Sequence, residues 1–181
     1  VAVVDAAEST RILFSDEGDV TRLTVKRTRL GSGLFGNSVT RLNITDSSLA
    51  GNGYGEGIEL FDAVNVTISD TVVTDGGRGL RFLDSSDIVV SSSRISGNIQ
   101  GIDFERSRNV TVSGNVIERN GRGTGGIRHG VLVSVSDSVE LVANEILNNT
   151  RGVVLGNSPN VTVSGNLIRD NGEGVYATDY D

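Results

Sequence analysis

Asn109-Val-Thr-Val-Ser-Gly-Asn-Val-Ile-Glu-Arg-Asn-Gly121 returns as Asn160-Val-Thr-Val-Ser-Gly-Asn-Leu-Ile-Arg-Asp-Asn-Gly172, with three of thirteen positions changed. Self-similarity at a fixed period marks a repeat architecture. Weaker copies run from Arg41, Asn65, Asp87 and Ser138. Aligning the first apolar residue of each copy gives Leu23, Leu42, Val66, Ile88, Val110, Val139 and Val161, with spacings of 19, 24, 22, 22, 29 and 22. The basic period is therefore 22 residues.

Within each unit the apolar residues alternate, the signature of short strands with one buried face. Val110 and Val112 point one way while Thr111 and Ser113 point the other. Ile117 opens a second strand, with equivalents Leu30, Leu49, Val73, Ile95, Ile146 and Ile168. A third follows a glycine, as in Gly79-Leu-Arg-Phe82 and Gly101-Ile-Asp-Phe104. Such strands cannot bury their faces alone, but stacked coils share a continuous core. The expected fold is an all-β, right-handed, single-stranded parallel β-helix of seven to eight coils. In this register Ile117 is internal and Glu118 external, so Glu118→Asp is expected to be mild. The whole of 1–181 reads as one domain, with 1–18 an irregular first coil or cap and 19–181 the regular repeats. Its opening Val, without a leader pattern, reads as excision from a longer protein.

Polar positions recur as faithfully. Asn52, Asn98, Asn120, Asn149 and Asn171 fall at one turn, where stacked amides can bond to each other. Asn115, Asn144 and Asn166 form a second series, and Ser85, Ser107, Ser136 and Ser158 mark a third corner. Of five Asn-x-Ser/Thr sequons, at Asn43, Asn65, Asn109, Asn148 and Asn160, four fall just before or within the first strand of a repeat, so the fold explains them without sugar. Gly76-Gly-Arg-Gly79 matches no phosphate loop and reads as a turn needing permissive backbone angles.

Composition narrows the partners. With no Cys there is neither a disulfide nor a thiolate metal site. A net charge of −7 argues against nucleic acid, whose phosphates need clustered cations. No run approaches the roughly 18 apolar residues of a helical membrane span, and no membrane partner is expected.

The repeat, Asn-Val-Thr-Val-Ser-Gly-Asn-x-Ile-x-x-Asn followed by a Gly-Val-x-Val/Phe strand, resembles the parallel β-helices of the pectate-lyase-like superfamily. The resemblance covers residues 19 to 181 and includes the carbohydrate-binding and sugar-hydrolase group that contains NosD-type proteins and mannuronan C-5 epimerases. It implies a secreted or cell-surface solenoid, often acting on acidic polysaccharide along an external groove. Family catalytic motifs do not carry over. The Asp-Pro-His of the epimerases is replaced by Arg128 before His129, and the only Pro is Pro159. Where pectate lyases place calcium-binding Asp residues, this chain has Ser113 and Gly114, or Ser164 and Gly165, and only Asp70 has the right type.

Two lengthened turns, 51–57 and 121–130, precede the third strand of their coils. Loops on rigid scaffolds often carry function. Between them the outward stack Glu59, Arg81, Asp103 and its neighbour Glu105 is expected to form a mixed-charge face. Asp103, Glu105 and His129 are the catalytic candidates, being of the types that move protons beside a sugar carboxylate. Glu59, Arg81, Arg106 and Arg128 are the substrate-binding candidates, with Tyr54 as a stacking surface. The competing reading is a charge ladder that separates like charges. The function expected is a rigid structural or polysaccharide-contacting module without catalysis. Its rivals are a lyase, C-5 epimerase or glycoside hydrolase on acidic polysaccharide, and an end-to-end self-assembling solenoid. No metal or cofactor is assigned, with calcium kept open.

Overall fold

A computed structural model describes residues 2–5, 8–9, 12–13, 23–27, 29–30, 33–51, 55–121 and 128–178. They form three sheets of eight strands each, and every pairing is parallel. The first sheet runs from Ala2–Asp5 to Val161–Ser164, the second from Glu8–Ser9 to Leu167–Arg169, and the third from Ile12–Leu13 to Glu173–Thr178. Each strand pairs with the equivalent strand one coil away, as in Val66 with Ile88 and Ile88 with Val110. The chain is a parallel β-helix.

Register follows the alternation read from the sequence. Inward columns such as Leu49, Val73, Ile95, Ile117 and Ile146 have no exposed surface. Phe82 stacks on Phe104 at 5.3 Å inside the third sheet. Each such side chain contributes about 1.5–3 kcal/mol when fully buried. The 29-residue spacing is absorbed before the third strand, since Ile102 still pairs with Val131.

Corners bury backbone N–H groups that need acceptors. The amide ladders supply them. Asn98 N donates to Asn120 Oδ1 at 3.1 Å, Asn120 N to Asn149 Oδ1 at 3.0 Å, and Asn149 N to Asn171 Oδ1 at 2.8 Å. Each side-chain amide also donates to its neighbour's oxygen, as Asn120 Nδ2 does to Asn149 Oδ1 at 3.1 Å. Asn115, Asn144 and Asn166 repeat the scheme, and Ser93 N donates into it through Asn115 Oδ1 at 2.9 Å. At the third corner Ser85 N, Ser107 N and Ser136 N donate to the next serine hydroxyl at 3.3, 3.0 and 3.1 Å. Asn52 lies outside the described residues.

Two local expectations change. Gly79 lies within the third-sheet strand Arg78–Leu83 and is a glycine for lack of space, since a Cβ there would sit 2.6 Å from Gly101 O; positive φ (56°) belongs instead to Asp75, ahead of the glycines. Glu118 is only 5% exposed, held by Arg94 and by Arg119 at 3.5 Å. Shortening it to Asp would withdraw a nearly dry carboxylate from Arg94, so that substitution is not mild.

Candidate functional site

The outer face of the third sheet carries the stack that the repeat predicts. Glu59 pairs in register with Arg81, Arg81 with Asp103, and Asp103 with Leu132, while Leu83 pairs with Glu105. Side chains two apart on a strand share a face, so Asp103 and Glu105 lie side by side.

Asp103 is the best enclosed of these acids, at 5% exposure. Its Oδ2 accepts a bond from Arg78 Nε at 3.0 Å, and Arg78 Nη1 reaches Glu56 Oε1 at 2.9 Å. On the other side Asp103 Oδ1 meets His129 Nε2. An ionised carboxylate can only accept, so the proton of this bond belongs to Nε2. His129, named with the outward stack as a catalytic candidate, has no exposed surface; it is drawn in by the acid one coil below. Its Nδ1 is buried without a hydrogen-bond partner. Sequence reading missed Arg78 and Glu56, because the chain from Glu56 through Arg78 and Asp103 to His129 crosses three inter-coil steps. The signal available was the column itself, which sets Arg78 one period below Gln100.

Glu59 Oε1 accepts from Arg81 Nη1 at 2.7 Å, and Glu105 lies 3.6 Å from Arg81 Nη2. Burial works to lower the pKa of Arg81, but its bond to Glu59 and the charges of Glu59, Glu105 and Asp103 outweigh it and raise the value. Arg106 bonds Asp84 through Nε at 2.8 Å and Glu105 through Nη1 at 2.9 Å. The Arg106 bond holds the Asp84 carboxyl below its ordinary value. Arg128 is half-buried beside His129. Tyr54 lies outside the described residues. The face thus brings Glu59, Arg81, Asp103, Glu105, Arg106 and His129 together, with Arg78, Arg81 and Arg106 each already holding an acid.

Solved structures share this architecture. The periplasmic alginate epimerase AlgG, as its T265N mutant, superposes with a TM-score of 0.79 at 18% identity, covering 88% of this chain and 38% of that one. The enzymatically active domain of tailspike protein 2 of bacteriophage CBA120 gives 0.65 at 13% identity, over 86% and 30%. DFA-IIIase from Arthrobacter chlorophenolicus A6 gives 0.53 at 14% identity, over 88% and 48%. The chain thus spans under half the length of these neighbours, and at such identities the likeness is one of fold. No curated protein matches the sequence.

The family model described as periplasmic copper-binding protein (NosD) matches residues 13–181. Copper favours Cys, Met and His donors. This sequence has no Cys, no Met and one His, and the Nε2 of that His is committed to Asp103. Among the described residues no three His, Cys, Asp or Glu are grouped to hold a metal ion. The donor set present does not fit copper. The match nevertheless spans nearly the whole chain and agrees with its three parallel sheets, and the chain belongs to the NosD family.

Proposed function

We propose that this chain is a rigid, non-catalytic β-helix module, outside the cytoplasm, that contacts polysaccharide. The observation carrying this reading is that its acid–base candidates are either buried, as His129 and Asp103 are, or already held by two guanidiniums, as Glu105 is. A general base must reach a substrate proton directly or through one water. Here His129 has no exposed surface and bonds Asp103, which is itself covered by Arg78. Glu105 is engaged by Arg81 and Arg106. The periplasmic description of the family supports an extracytoplasmic location, and the polysaccharide epimerase among the fold neighbours supports a glycan partner.

One observation favours the rival enzyme reading, a lyase or epimerase on acidic polysaccharide. The unpartnered Nδ1 of His129 beside Asp103 is a polar atom without a structural use. Incubation with alginate, polygalacturonate and neutral glycans separates the two. The module reading expects no unsaturated ends, no change in uronate epimer ratio and no new reducing ends. Any of these products, abolished by His129→Gln, overturns it in favour of the enzyme.

A further inference from the structure

The outer face of the first sheet differs in kind from the charged third sheet. Six successive strands of the first sheet have one residue at positive φ at or just before their start: Arg41 (64°), Asn65 (59°), Asp87 (57°), Asn109 (53°), Ser138 (56°) and Asn160 (53°), the last five being Asn, Asp or Ser. Asn, Asp and Ser adopt this left-handed region at lower cost than branched residues, through local hydrogen bonds. A left-handed residue inside a strand bends it, and the same bend in five neighbouring strands makes a trough along the solenoid axis. Two depressions of about 350 and 340 Å³ occupy it end to end, both lined by Asn109 and Thr111.

The repeated triplet of the sequence now has a place. Asn65-Val-Thr67, Asn109-Val-Thr111 and Asn160-Val-Thr162 occupy alternate strands of the trough, each with an amide and a hydroxyl on the outer side and its Val turned toward the core. The amides of Asn109 and Asn160 each donate one N–H to an acid of the neighbouring strand, Asp87 and Asp137, which leaves the second N–H and the oxygen. Alternate strands lie about 9.6 Å apart, twice the inter-strand spacing. That length is close to one disaccharide of an extended chain whose successive rings alternate in orientation. The charged residues lining the depressions are the acids Asp87 and Glu140. Asn109 Nδ2 donates to Asp87 Oδ1 at 2.5 Å and Ser86 Oγ to Asp87 Oδ2 at 3.3 Å, and a carboxylate with about four lone-pair sites keeps accepting capacity beyond these two bonds. An acidic glycan would meet acids here, whereas the hydroxyls of a neutral one find both donors and acceptors.

We infer that the first-sheet trough binds a neutral, extended polysaccharide lying along the solenoid axis, in register with the alternating Asn-Val-Thr strands. This rests on the module reading and assigns its face and ligand charge.

The test is calorimetric titration of the intact chain with cello-, xylo- and manno-oligosaccharides, and with oligomannuronate and oligogalacturonate as acidic arms. A neutral oligosaccharide should bind with little salt dependence. Thr111→Arg, where the depressions meet, should weaken it at least about tenfold. Val89→Arg, at a site 38% exposed, is a second plug whose folding does not depend on the first. Arg81→Ala should leave the affinity within about twofold, or about 0.4 kcal/mol. Neutral-glycan binding that survives both plugs, or selective binding of the acidic oligomers lost in Arg81→Ala, overturns the trough while the module reading stands. Absence of binding to every oligosaccharide overturns both.

Discussion

The outer faces of the first and third sheets are built on the same coil and the same core, yet they differ in what they leave available. On the third sheet, Glu59, Arg81, Asp103 and Glu105 are of the residue types associated with catalysis, and stacking brings opposite charges within bonding reach. They satisfy one another. On the first sheet the outward residues are mostly Thr, Asn and Ser, and the repeated bend leaves a trough. A cluster of charges in a stacked sheet is therefore a weaker sign of a site than uncharged groups with room before them.

The comparison presumes one common core, so the largest effect should come from breaking it. Ile117→Asp buries a carboxylate among aliphatic side chains and should cost about 4 kcal/mol or more, read from the urea midpoint. Asn120→Ala should come next. It removes the acceptor of Asn98 N and the donor to Ile95 O, and about 2–4 kcal/mol is expected. Tolerance of either would mean that the ladders are ornaments on a differently packed coil.

The two faces separate in smaller substitutions. Arg81→Ala unpairs Glu59, leaves Glu105 to Arg106 alone and should cost about 1 kcal/mol of stability. Thr67→Ala on the first sheet should stay within about 0.5 kcal/mol in thermal unfolding. The smallest effect concerns pH. Asp84 has a folded pKa below its ordinary value because Arg106 bonds it. Its contribution is complete above the unfolded carboxylate value and is lost as pH falls through the folded one. Asp84→Asn should therefore narrow its stability gap from the parent as acid is added, and a gap that widens would contradict the pairing.

Period, strand register and all three polar ladders were legible in the sequence because each repeats in every coil and depends only on its own phase. The column of Glu59, Arg81 and Asp103 was legible for the same reason. What escaped depends on reach between columns. Arg78 starts three positions after Asp75 in its own coil yet ends on Asp103 in the next, and no periodicity encodes that diagonal. The burial of His129 and Glu118 likewise follows from partners on adjacent coils. The trough was hidden in plain view, since Asn109 read as part of a sequon and a strand. Its φ of 53° is a backbone angle that the residue pattern does not announce.

The most direct test of the account is the map of backbone amide shifts when the chain is titrated with a neutral xylo-oligosaccharide. The account predicts movement at Asn65–Thr67, Asn109–Thr111 and Asn160–Thr162, with Arg81, Asp103 and His129 still. Movement centred on Asp103 and His129, with the first sheet unchanged, would contradict it.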